Sequence, residues 1–235
     1  AALTLNQPYQ KQKEPCWICG DFFETTDVWA DRVIDAFSGI EGKTFVIGSK
    51  VPPLMSESEE MVWSDLVLSD PEPLKSEINR EVGKRVAAKS TLVGDTKNPD
   101  LIAVLNISDG TIEVQIRPLF IYGRYLKYER GIPQTHWACR ACKGAGCEAC
   151  DGTGKQYRDS VEELIGAPLL PIFKAERVLL HGAGREDIDA VMIGSGRPFI
   201  LEIVNPRIRD ADPKVLEDAI NTYNEGRVGV IDVTW

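Results

Sequence analysis

Histidine is nearly missing from this chain: His136 and His181 are the only two in 235 residues. Neither stands with a Ser or Cys nucleophile in a recognisable motif, so a hydrolase triad is not expected. Long apolar runs are missing too. No stretch approaches the ~20 residues that cross a bilayer, and the opening "AALTLNQPYQKQKEP" lacks the apolar core of a signal peptide. A cytoplasmic protein with no membrane partner is therefore expected. The first residue is Ala rather than Met, which points to a trimmed chain. Positive charge is in deficit, with 27 Lys and Arg against 36 Asp and Glu, a net charge of −9. That balance argues against a broad nucleic-acid coat, and no DNA partner is expected.

The deficit is uneven. Residues 115–209 hold 14 basic against 11 acidic side chains, leaving 13 against 25 elsewhere. The middle of the chain is thus locally basic, as a binding face requires, although chance fluctuation gives the same pattern.

Helical spacing of Phe23, Val28, Trp29, Val33, Ile34 and Phe37 predicts a helix over residues 22–37, and Leu74, Ile78, Val82 and Val86 predict another over 73–89. "TFVIGS" reads as a strand. The Pro- and acid-rich "VPPLMSESEEMVWSDLVLSD" reads as a surface excursion. "LIAVLNI" and "TIEVQIRPLFIYG" flank the turn residues "SDG" and predict a hairpin. Further on, "SVEELIGAPLL" predicts a short helix capped by Ser160, with Glu163 at the capping-box position. "AERVLLHG" and "RPFILEIVN" read as strands, residues 213–225 as a helix, and "RVGVIDVTW" as a last strand. The order predicts an α+β fold. Three segments are expected: a first domain over 1–138, a Cys-rich junction over 139–158, and a third segment over 159–235.

The six cysteines form three C-x-x-C pairs: Cys16/Cys19, Cys139/Cys142 and Cys147/Cys150. In an intracellular chain such pairs read as metal ligands before disulfides. "CRACKGAGCEACDGTG" is two copies of C-x-x-C-x-G-x-G, which together can complete a Cys₄ zinc site. Only four residues separate the copies, which makes a shared ion awkward, so pairing one copy with Cys16/Cys19 stays open. A closed Cys₄ site predicts a structural role and no open coordination position. The repeated motif also suggests a DnaJ-like zinc module, but such modules carry four copies and this chain has two.

Between the hairpin and the cysteines, "RPLFIYGRYLKYERGIPQTHW" alternates Arg117, Arg124, Lys127 and Arg130 with Phe120, Tyr122, Tyr125, Tyr128 and Trp137. Basic groups reach phosphates while aromatic faces stack on unpaired bases. The alternative is a strand with a buried aromatic face and a solvated charged one.

The helix, "NPDLIAVLNI", the hairpin and "IYGRYLKYERGIPQ" together resemble the THUMP module, an RNA-binding domain of RNA-modifying enzymes. The further series "GRYLKYERGIPQT", the Cys cluster, "SVEELI", "FKAE", "GREDID", "GRPF" and "EIVNPR" resembles the archaeal tRNA pseudouridine-54/55 synthases, the Pus-ten class. The resemblance implies a zinc-bearing THUMP-type domain followed by the first part of a synthase catalytic domain, with tRNA as partner and no organic cofactor. It implies an aspartate in a G-R-x-D-like motif as catalytic group, which is Asp187 in "GRED". Arg185 and Asp189 are its expected support, and Asp189 is the alternative within "EDID". Glu186 points away if the segment is extended. Expected RNA contacts are Arg124, Lys127, Arg130, Lys174, Arg197 and Arg207, and expected metal ligands are the six cysteines. The family's catalytic domain continues beyond the end of this sequence, so a non-catalytic zinc- and RNA-binding module is the competing expectation.

Overall fold

The computed structural model describes residues 14–235, which fall into two compact units. The first comprises the residues up to Ser38 together with Gly42–Gln115, and the second comprises Gly39–Glu41 and Ile116–Trp235.

In the first unit a 3₁₀ turn, Phe22–Thr25, leads into α1 (Thr26–Ala36). Strand β1 (Thr44–Lys50) follows, then α2 (Pro53–Asp65), α3 (Leu74–Lys89), β2 (Val93–Gly94), β3 (Leu101–Asn106) and β4 (Ile112–Ile116). The sheet order is β2-β1-β3-β4, with β1 parallel to both β2 and β3. Alternate residues of β1 and β3 are buried, and α1 and α3 supply the facing stripe. Ile78, Val82 and Val86 recur every fourth position and are fully enclosed. Burying each contributes about 1.5–3 kcal/mol. The expected surface excursion after β1 is in fact α2. Pro53 starts it without losing a useful N–H, because the first helical amides have no partner anyway. Its only buried residue is Ser58, so no apolar stripe announces it.

In the second unit β5 (Leu119–Lys127) is followed by the cysteine segment, α4 (Val161–Gly166), α5 (Leu169–Phe173), β6 (Arg177–Gly182), β7 (Met192–Val204), α6 (Pro213–Tyr223) and β8 (Val228–Thr234). The sheet order is β6-β7-β5-β8, and every adjacent pair is antiparallel. Ile121, Tyr125, Phe199, Leu201 and Ile203 from the sheet meet Ile165, Leu169, Phe173, Leu216 and Ile220 from the helices in one core. Ser160 caps α4 as expected, accepting from the Glu163 N–H at 3.2 Å.

The two compact units divide at 115/116, upstream of the expected Cys-rich junction over 139–158. "TIEVQIRPLFIYG" is not one strand: it breaks at Arg117–Pro118 into β4 of one sheet and β5 of the other. Proline has no N–H to donate to a ladder, so it ends the first pairing.

Two features of β5 shape the site. Gly123 lies opposite Phe199, and a Cβ there would stand 2.7 Å from the Phe199 ring. Beyond Tyr125 the pairing with β7 slips: Tyr125 faces Arg197, but Lys127 faces Met192. The bulge breaks the inside-outside alternation, so Tyr125, Leu126 and Lys127 are all buried.

Candidate active-site loop and metal centre

The loop between β6 and β7 carries Gly184 to Ala190. Gly184 has φ +86°, and a Cβ on it would stand 2.8 Å from Nη1 of Arg197. Glycine is therefore required there twice over, by backbone conformation and by the close approach of a guanidinium.

Successive side chains of "GRED" go to different places. Arg185 is exposed and stacks its guanidinium over Trp137, 5.2 Å from the ring centroid. Glu186 turns inward, its side chain 3% exposed. Its Oε2 accepts a 2.6 Å hydrogen bond from the Tyr125 hydroxyl and lies 3.2 Å from Nε of Arg197. That second contact is an ion pair without the alignment of a hydrogen bond. Oε1 lies 4.0 Å from Nζ of the fully buried Lys127. Asp187 is exposed, and its carboxylate has no hydrogen-bond or ion-pair partner among the described residues.

The expected pairing of Arg185 with Asp187 is therefore corrected. The carboxylate held beside an arginine is Glu186, and the arginine is Arg197, which arrives from the neighbouring strand.

The backbone of this loop is clamped from β5 and the turn after it. Lys127 Nζ donates to the carbonyls of Ile132 at 2.9 Å, Ile188 at 3.0 Å and Asp187 at 3.3 Å. Gly131 N–H donates to Ile188 O at 3.0 Å. Arg130 Nη1 donates to Asp189 O at 2.7 Å. Gln134 Nε2 donates to Gly184 O and to the Tyr125 hydroxyl, both at 2.9 Å. Burial pushes the Lys127 ammonium below the usual lysine range, opposed by the charges of Glu186 and Asp189. Burial, then the bond to Glu186, pushes the Tyr125 phenol well above its usual value.

These contacts redistribute the expected RNA-binding residues. Lys127 is enclosed and saturated, and cannot reach a phosphate. Arg197 is mostly buried, donating to Ala183 O at 3.1 Å. Arg124 donates to the Ser195 and Gly196 carbonyls. Lys174 and Arg207 are exposed, and Arg130 is exposed while holding Asp189. Asp189 itself is exposed beside the same clamp.

The cysteine segment folds as two knuckles set against each other. Sulfur atoms of Cys139, Cys142, Cys147 and Cys150 all lie within 4.8 Å of one another. Measured separations are 4.0 Å for Cys139–Cys147, 3.9 Å for Cys142–Cys150 and 3.7 Å for Cys147–Cys150. A tetrahedral ion with metal–sulfur bonds of ~2.3 Å needs sulfurs about 3.8 Å apart, so the four residues fit one metal ion. Amides of Gly146 and Gly154 point at Cys142 and Cys150 sulfurs, each at 3.2 Å. Hydrogen bonds from the backbone at Cys147 and Gly154 bring the Cys150 thiol down to about 6, while the bond to Cys150 pushes Cys147 up to about 11.

Sharing one ion is not awkward after all. A Cβ on Gly146 would stand 2.6 Å from Gly152 O, and one on Gly154 would collide with Gly144 O. The glycines let the two copies meet back to back, which four intervening residues could not otherwise allow. Cys16 and Cys19 belong to the first unit and are outside this sulfur group. Trp137 joins the knuckles to the loop, touching Tyr157 edge-on at 5.7 Å and carrying Arg185 on its face.

Two family models match this chain: the archaeal Pus10 THUMP domain over residues 29–106 and the Pus10 C-terminal region over 120–234. The chain belongs to the Pus10 family. The gap between the two matches brackets the observed boundary at 115/116. Curated relatives named tRNA pseudouridine synthase Pus10 include one from Methanothrix thermoacetophila, 50% identical over 94% of this chain and 49% of its own length. Another, from Methanopyrus kandleri, is 44% identical over 94% of the chain and 51% of its own length. A third, from Archaeoglobus fulgidus, is 42% identical over 89% and 57%. The chain thus spans about half the length of the curated relatives it matches. No helix among the described residues is long and apolar enough to cross a membrane.

Sequence reasoning missed Glu186, Tyr125 and Gln134 as a connected group. No local signal joins them, because the bulge that buries Tyr125 and Lys127 together depends on the pairing of β5 with β7.

Proposed function

We propose that this protein acts in pseudouridine formation on tRNA, in the TΨC arm at positions 54 and/or 55, with Asp187 as the catalytic carboxylate. The observation that carries the reading is the contrast within "GRED". Glu186 and the backbone of the loop are held from within, while Asp187 and its alternative Asp189 both present exposed carboxylates, of which Asp187 stands in the G-R-x-D-like motif. In the isomerisation the uracil N1–ribose C1′ bond breaks, the base turns, C5 bonds to C1′ and loses its proton, and N1 takes one up. A carboxylate aimed at that bond serves as nucleophile or as base. Arg185 is not paired with Asp187, so it is free for another task. Stacked on Trp137, it can hold a phosphate or fill the gap left by a flipped base. Arg130, Lys174 and Arg207 supply further phosphate contacts, and the THUMP-type first unit supplies additional RNA affinity. The four sulfurs of Cys139, Cys142, Cys147 and Cys150 would hold one zinc ion. Bound there it supplies no reaction chemistry, only a closed structural crosslink.

The test is conversion of an unmodified tRNA transcript, with pseudouridine mapped by position. Product with the wild-type protein and none with Asp187→Ala is the expected result; product retained by Asp187→Ala refutes the assignment. A second reading, a zinc- and RNA-binding module without catalysis, is favoured by the exposure of Asp187, which has no arginine paired with it, while Arg197 goes to Glu186. It requires tight tRNA binding with no product from the wild type.

A further inference from the structure

We infer that Glu186 is a positioning residue, the buried counter-charge that fixes the Gly184–Asp189 loop so that Asp187 is held at the reacting bond. The inference rests on the reading of Asp187 as catalytic.

Three charged side chains, Glu186, Lys127 and Arg197, lie almost wholly inside the second unit, with exposures of 3%, 0% and 19%. Buried charges destabilise a fold unless they compensate one another. Here the two cations also hold backbone at the loop, and Glu186 is tied to it through Tyr125 and Gln134. Lys127 binds the carbonyls of Asp187 and Ile188, Arg197 binds that of Ala183, and Gln134 links Gly184 O to the Tyr125 hydroxyl on Glu186. Glu186 is the one anion among them and the neighbour of Asp187 in sequence. Glu186 is turned inward while the adjacent Asp187 is exposed, so anchoring the first fixes the backbone that carries the second. The cluster draws on four motifs at once: "RYLKY", "GIPQ", "GRED" and "GRPF". Its geometry explains why those basic and aromatic residues accompany the loop although two of the basic ones cannot touch RNA.

Glu186→Gln keeps the shape and removes the charge, leaving Lys127 and Arg197 facing each other uncompensated. A misplacement of ~1 Å at a reacting group costs on the order of 100-fold in rate, so turnover of the folded variant should fall about 100-fold. KM for tRNA should stay within about twofold of wild type, because Arg130, Lys174 and Arg207 are untouched. Glu186→Asp, which restores the charge one methylene short, should recover about tenfold of that loss. A merely structural role would lower the melting temperature and the folded fraction but leave turnover per folded molecule unchanged, and that result overturns the inference. Asp187→Ala is assayed alongside. If it is inactive while Glu186→Gln turns over normally, only the positioning role falls. If Asp187→Ala retains activity, the proposed function fails and the positioning role with it. Should Glu186→Gln not fold, Tyr125→Phe removes one donor from the same carboxylate and should lower turnover about tenfold; unchanged turnover there overturns the inference equally.

Discussion

Lys127 has three ammonium hydrogens and meets three carbonyl oxygens, its side chain fully enclosed. Such a saturated cation is a structural part, yet in sequence it stood in a run of basic and aromatic residues that reads equally well as an RNA-binding strip. Nothing in the pattern "GRYLKYERG" separates the two, because the bulge that buries Lys127 depends on how many residues of β7 lie opposite it. Tyr125 is enclosed by the same packing. Its folded-state pKa is raised, so the folded protein holds the phenol proton after the unfolded chain, at ~10, has released it. The stabilising contribution is complete below pH ~10 and is lost as pH rises further. Denaturant unfolding measured from pH 8 to 11 should therefore show a steeper alkaline loss of stability for wild type than for Tyr125→Phe. Equal slopes would contradict the burial of this hydroxyl.

Among the elements, those with a clear apolar period were legible. The stripe of α3, the alternation of β1 and β3, and the Ser160 cap of α4 all follow from spacing and local hydrogen bonding. Helix α2 was not legible, because it buries one serine and its turns are filled with Ser and Glu. The joint between β4 and β5 was hidden for the opposite reason: apolar residues run straight through Arg117–Pro118, and only the proline marks the change of sheet. The cysteine knuckles were legible in ligand type but not in partnership, since the back-to-back glycine contacts involve no side chain at all. They lead to a prediction. Gly154→Ala should reduce bound zinc to well below one per chain, as Cys142→Ser should, whereas a Cys16→Ser/Cys19→Ser double variant should keep one. Metal counted by mass spectrometry on the purified variants checks this, and loss of the ion from the double variant would contradict the four-sulfur site.

At the level of the whole molecule, the division into two units and the family matches tell the same story from independent sources. The sheet boundary at 115/116 falls between the matched segments. Charge is where the sequence was most misleading, since a count of Lys and Arg over residues 115–209 treats every cation as available. Lys127 and Arg197 are turned inward to a carboxylate and to carbonyls, so they condense no solvent anions and displace no sodium from an RNA backbone. The electrolyte dependence of tRNA affinity should be correspondingly shallow, with log K falling against log[salt] by about 0.7–0.9 per contacted phosphate for the outward cations alone. Neutralising Lys127 should leave that slope unaltered, whereas replacing Arg207 should flatten it by about one unit. Filter binding across a salt series distinguishes the two. The inward cations hold the fold, and under the proposed function only those outside it would give an ionic grip on RNA.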